Sequence, residues 1–327
     1  MMAGHGNKAV VAALLANSGI AVTKFVAWLL TGATSMLAEA VHSVADAGNQ
    51  ALLLVGAKRS AREATPEHPF GFGRERYIYA FIVSIVLFSL GGLFALYEAY
   101  HKYHEVHAGE PDQLLDSRWW WVPLLVLSAA IVMESFSFRT AIVESNKVRG
   151  DATWWSFIRK AKAPELPVVL LEDLAALLGL IFALAGVSLT LATENGYFDV
   201  AGAAAIGTLL VVVAVVLAIE TKSLLVGEAA TPESIKAIRG ALDAADGVDR
   251  VIHMKTLHLA PESLLVAAKI AVRHDDTAAE VAQVIDAAER AIRAAEPAAE
   301  VIYLEPDLYD RDHTPDPRPE PPHAPAH

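Results

Sequence analysis

The chain has 327 residues, is 54% hydrophobic with a mean hydropathy of +0.38, and carries a net charge of −12, most of it contributed after residue 226. A soluble protein could not hide so many apolar runs of about 20 residues, so a membrane protein is expected. The absence of cysteine excludes disulfides and thiolate metal sites and leaves nitrogen and oxygen as metal donors, while no basic patch with interleaved aromatics points to nucleic acid.

In chain order, six spans are expected over residues 9–31, 35–57, 77–100, 119–143, 166–192 and 197–225. Each can cross about 30 Å of hydrocarbon at about 1.5 Å per residue. The N-terminal stretch runs directly into the first span, so no cleavable signal peptide is expected. A tight turn over Thr31 to Thr34 joins spans one and two, and Glu194 to Gly196 joins spans five and six. The loop between spans two and three carries Lys58, Arg59, Arg62, Arg74 and Arg76, and the region between four and five carries Arg139, Lys147, Arg149, Arg159, Lys160 and Lys162. The opposite side has only Lys102 and Arg118 among Glu105, Glu110, Asp112 and Asp116. The positive-inside rule then puts both termini in the cytoplasm, and a bacterial plasma membrane is the expected location.

After Thr231 the texture changes. Pro232 to Ala245 reads as an amphipathic helix capped by Thr231, Val251 to Leu259 and Leu264 to Val272 as strands around a turn, and Thr277 to Ala295 as a second helix. Glu300 to Leu304 reads as a third strand. The expected fold is therefore an all-α six-helix transmembrane bundle over residues 1–226, an α+β domain of order αββαβ over 227–309, and a disordered Pro-, Asp- and His-rich tail over 310–327.

Two clusters inside the spans carry the chemistry. His42 and Asp46 lie four residues apart, one turn along one helix face, and span five holds Glu172 beside Asp173. Ionisable groups in hydrocarbon are costly and mark pathways. Packing spans two and five together would gather His42, Asp46, Asp173 and Glu172 around one divalent ion, a donor set suited to zinc that also takes manganese, iron(II) or cobalt. Lys24 in span one is expected to snorkel outward in a structural role. Asn17, Asn49 and Gln50 fit either orientation of the ligands or bonds between helices. His101, His104 and His107 read as a solvated juxtamembrane stripe. Glu194 and Asp199 read as capping span six, and Arg74 with Glu75 as anchoring the inner end of span three.

The stretch Leu37-Ala-Glu-Ala-Val-His42-Ser-Val-Ala-Asp46, the loop His68-Pro-Phe-Gly71-Phe-Gly73-Arg74, the six spans and the αββαβ domain resemble the cation diffusion facilitator family over residues 7 to 307. The segment Lys162 to Asp173 is most similar to the mitochondrial-type zinc transporter branch. The resemblance implies a transport site with two ligands each from spans two and five, and by motif these are His42, Asp46 and Asp173. The family's usual fourth ligand, four residues before that aspartate, is replaced by Val169, and Glu172 is the expected substitute. The family's loop site retains only His68, with Phe72 at a position where histidine is common, and reads as a structural turn. Its later-strand ligand positions beyond His253 and His258 hold apolar residues or Glu305. The last domain is thus expected to dimerise without metal.

The expected function is proton-coupled export of a divalent cation, zinc first, by a homodimer in the bilayer, with no resident cofactor. Binding metal to deprotonated ligands releases protons, and His42 is the expected shuttle because an unperturbed imidazole titrates near neutrality. A membrane metal sensor without net flux and a manganese, iron or cobalt transporter are the alternatives. A passive channel would conduct without a proton gradient. An enzyme is not expected, since neither a His-Glu-x-x-His motif nor a nucleophile elbow occurs.

Overall fold

A computed structural model describes residues 18–309, which divide into two compact units on either side of the Leu225–Val226 bond. The expected tail from 310, Asn17 and the first part of span one lie outside the described residues.

The membrane unit has six long helices, α1 (Ser18–Thr31), α2 (Thr34–Ser60), α3 (Glu75–His107), α4 (Val122–Arg149), α5 (Glu165–Thr193) and α6 (Tyr197–Val226), with short helical turns over Gln113–Asp116 and Trp154–Lys160 in its loops. The last four are long and apolar enough to cross a bilayer. α2 is as long, at about 40 Å for its 27 residues. Its apolar run is broken by the groups that make it interesting, among them Glu39, His42, Asp46, Asn49 and Gln50. Several helices run beyond the expected spans, α3 by seven residues to His107, because leaving the hydrocarbon does not stop a hydrogen-bonded helix unless a cap or breaker intervenes. Residues Trp119–Trp121, expected inside span four, instead form an exposed turn before it, with Pro123 at the helix start.

Glycines decide which helices approach closely, as expected where packing rather than water exclusion holds helices together. A Cβ on Gly186 of α5 would meet the Phe198 carbonyl of α6 at 2.9 Å, and one on Gly207 of α6 would meet the Leu96 nitrogen and Gly92 carbonyl of α3 at 2.9 and 3.0 Å. Gly91 and Gly92 lie in a π-helical stretch of α3, Leu87–Leu93, whose glycines let α6 and the His42 ring of α2 come close. α2 packs on α3 and α5, and α4 packs along α5. The core they share includes Met36, Val83, Leu127, Leu180, Ile206 and Leu210.

The second unit has the element order read from its periodicities: α7 (Pro232–Asp243), β1 (Arg250–Ala260), β2 (Ser263–Ala271), α8 (Ala278–Ala295) and β3 (Ala299–Asp307). The sheet order is β1-β2-β3, with β1 antiparallel and β3 parallel to β2. Thr231 caps α7 by accepting from the Ser234 amide, and Thr277 and Glu280 form a reciprocal capping box on α8. The amphipathic faces of both helices bury Ile238, Leu242, Ala288 and Ile292 against Val266, Ile270 and Ile302 of the sheet.

Candidate metal centre

The helical period of α2 puts Glu39, His42, Ser43, Asp46, Asn49 and Gln50 on one stripe. His42 is 1% exposed, and its Nε2 lies 3.5 Å from Asp46 Oδ2. That separation is within ion-pair range, but the two atoms do not form a hydrogen bond. Among the described residues, both His42 nitrogens and Asp46 Oδ1 are buried without a hydrogen-bond partner. Buried polar atoms are normally paired, so an imidazole with both nitrogens unpaired has donor capacity that this fold leaves unused.

On α5 the two adjacent carboxylates point at different neighbours. Glu172 faces α2, where its Oε1 accepts from Asn49 Nδ2 at 2.6 Å. Asp173 faces α4, where its Oδ2 accepts from Ser137 Oγ at 2.9 Å. Both are buried. Asp46 lies within electrostatic reach of Glu172, Asp173 and Glu134. The four expected residues are not drawn into a closed shell: among the described residues no three His, Asp or Glu side chains sit at metal-holding spacing. A divalent cargo would need Glu172 and Asp173 to leave Asn49 and Ser137, or to bind while still accepting from them.

Two neighbours escaped the sequence reading. Glu134, in the apolar run of α4 one turn before Ser137, lies in electrostatic reach of Asp173. Glu39, three residues before His42 on the same stripe, pairs with Lys24, which is buried rather than snorkelling. For Glu134 the signal was a lone carboxylate in an otherwise apolar run, and for Glu39 its place on the polar stripe of α2. Helix partners were needed to give either meaning.

Residues 10–226 match the family described as the cation efflux transmembrane domain, and residues 230–307 match the cation efflux protein cytoplasmic domain. The chain belongs to the cation efflux, or cation diffusion facilitator, family. It is therefore a multi-pass membrane protein. This cation efflux chain is 33% identical over 249 residues to a protein of Mus musculus named as a mitochondrial proton-coupled zinc antiporter, covering 75% of the chain and 42% of that relative. It is 28% identical over 268 residues to metal tolerance protein C4 of Arabidopsis thaliana, covering 81% of the chain and 57% of the relative. It is also 33% identical over 79 residues to magnetosome protein MamM of Paramagnetospirillum magneticum, 24% of the chain and 25% of the relative. The chain thus spans less than half the length of the first relatives it matches.

Elsewhere in this cation efflux protein, Val169 packs against the buried cluster of Ala141, Phe157 and Leu170, so an apolar cluster occupies the place of the family's usual fourth ligand. His68 stacks on Phe72 with ring centroids 4.6 Å apart, and Arg62 covers the same ring at 4.1 Å. His101, His104 and His107 stand one turn after Tyr97, Tyr100 and Tyr103, each ring against its tyrosine. His258 Nδ1 lies 3.2 Å from the Ala260 carbonyl, and Glu305 is taken by Lys269 at 3.0 Å. Asp307 and Glu305 together hold the Lys269 ammonium above its ordinary range.

Asp199 does not cap α6. Its carboxylate reaches across to the start of α2, accepting from the Thr34 amide at 2.8 Å, the Ser35 amide at 3.3 Å and the Ser35 hydroxyl. The N-cap residue of α2, Ala33, has no side chain able to do this, so a charge from α6 meets the positive end of the helix that carries His42 and Asp46. At the other end of the unit Arg76, two residues after the expected anchor Arg74, ties the start of α3 to the start of α5 through its ion pair with Glu165.

Proposed function

We propose that this chain transports a divalent metal cation, zinc first, across a bilayer in exchange for protons, with His42, Asp46, Glu172 and Asp173 as the site. The observation that carries the reading is the buried His42 beside a half-buried Asp46, whose imidazole nitrogens and Oδ1 have no hydrogen-bond partner among the described residues, with buried Glu172 of α5 turned towards the same helix and Asp173 next to it. Such groups bind a divalent ion when deprotonated, so proton binding and metal binding compete at the same atoms. The names of the zinc-antiporter relatives support the choice of ion and coupling. The basic loops support an orientation with both termini on the inner side, and the second unit supports assembly as a homodimer.

The apolar cluster around Val169 favours a second reading in selectivity alone. One imidazole with several carboxylates accepts manganese, iron(II) or cobalt as well as zinc. Metal-driven proton flux in proteoliposomes, screened over Zn²⁺, Mn²⁺, Fe²⁺ and Co²⁺, tests both. Flux with one ion, altered in His42→Asp and lost in Asp46→Ala and Asp173→Ala, supports the proposal. Undiminished flux in both alanine variants removes the site, and ion flux that ignores the proton gradient removes the antiport.

A further inference from the structure

Lys24 brings a positive charge into a site meant to receive one. It is 3% exposed, and its Nζ donates to Glu39 Oε2 at 2.9 Å and to Ser43 Oγ at 2.8 Å. The other buried lysine among the described residues, Lys102, sits near the end of α3 beside Asp112 and Glu105. The partners of Lys24 fix the position of its charge. Glu39 and Ser43 are successive turns of the α2 stripe, and Ser43 adjoins His42 and precedes Asp46 by three residues. An ammonium held between residues 39 and 43 is anchored within one turn of both His42 and Asp46 along α2. In keeping with this, the charge that reaches both His42 and Asp46 is that of Lys24.

The pair is built into the bundle rather than resting on it. Glu39 is fully buried, and its Oε1 lies 2.6 Å from where a Cβ on Gly179 would stand. A side chain at that position would displace the carboxylate from where it meets Lys24. Gly179 is six residues beyond Asp173 on the same helix, so both halves of the site are tied to the pair.

We propose that Lys24, held by Glu39 and Ser43, is the fixed counter-charge of the His42–Asp46 site, setting its affinity for a divalent ion low enough for release. This inference rests on the transport reading above. With the site empty, the ammonium offsets the mutual repulsion of Asp46, Glu134, Glu172 and Asp173. With the ion bound, the same charge repels it across a low-dielectric interior where such repulsion is poorly screened. A site that must pass an ion on needs binding strong enough to load and weak enough to unload. Lys24 does not touch the cargo. It acts through its field.

The test compares wild type, Lys24→Gln and Lys24→Arg in two measurements on the full chain: equilibrium Zn²⁺ binding in detergent and initial Zn²⁺ uptake in proteoliposomes. Gln keeps a donor for Glu39 and Ser43 while removing the charge. It is expected to tighten Kd by roughly tenfold or more and to lower kcat, so that KM and kcat fall together, as a lost charge–charge repulsion requires. Arg keeps the charge and is expected to hold Kd within about threefold of wild type. An unchanged Kd in Lys24→Gln, or equal shifts in Gln and Arg, overturns the counter-charge and leaves a packing role. If Lys24→Gln fails to fold, Lys24→Gln/Glu39→Gln leaves no unpaired charge and should still tighten Kd by about threefold. An unchanged Kd in that variant overturns the proposal equally. Wild-type protein that binds zinc but moves none overturns the transport reading instead, a result separate from an unchanged Kd.

Discussion

Replacing Asp199 should loosen the start of α2 although Asp199 belongs to another helix. In Asp199→Ala the Thr34 and Ser35 amides lose their acceptor, and both residues are buried, so water cannot replace it. A lost N-cap costs about 1 kcal/mol, and leaving a buried donor unsatisfied adds about 1–3 kcal/mol, giving roughly 3 kcal/mol in all. For a unit of this size that corresponds to a fall in Tm of about 6–12 °C. Asp199→Asn keeps one acceptor oxygen and gives up the charge at the helix end, for a smaller loss of about 1 kcal/mol. The assay is thermal unfolding of the purified protein in detergent, followed by the monodisperse fraction on size exclusion. An Asp199→Ala protein that melts within about 2 °C of wild type would refute the assignment of Asp199 as the cap of α2.

Gly207→Ala should cost about 1–3 kcal/mol, because its Cβ would meet the α3 backbone at 2.9 and 3.0 Å and neither helix can yield like a flexible side chain; the same melting assay reads it. Asn49→Ala removes the donor held by Glu172 and should shift the zinc Kd by roughly tenfold if Glu172 is a ligand. An unchanged Kd in both Asn49→Ala and Glu172→Ala would place Glu172 outside the site. In the second unit, the Thr277 amide and hydroxyl hold the Glu280 carboxyl below its ordinary value of 4.5. A carboxyl depressed in the folded state contributes its full stabilisation above the ordinary, unfolded value and loses it as pH falls through the lower, folded one. The protection of the amides in the first turn of α8, taken as the intrinsic exchange rate relative to the observed rate at the same pH, should therefore fall on acidification in wild type and be insensitive to that step in Glu280→Gln. Equal pH dependence in the two would count against the capping box.

Much of the fold was legible because its causes are local. Apolar run length marks a membrane helix, period-two and helical patterns mark the αββαβ order, and Thr231 and Thr277 announce the helices they cap. His42 and Asp46 were legible for the same reason: four residues along one helix is a distance that sequence alone sets. What the sequence could not decide lies between helices. Lys24 was expected to reach outward, yet it turns in to Glu39, fifteen residues away. Asp199 was expected to serve its own helix, yet it caps one that begins 165 residues earlier. Glu172 and Asp173, adjacent in the chain, part company towards α2 and α4 because neighbouring positions on a helix diverge by about 100°. Which partner waits in each direction is fixed by how closely the helices can pack, and at Gly92, Gly179, Gly186 and Gly207 that depends on a missing Cβ whose effect appears only when a second helix is present.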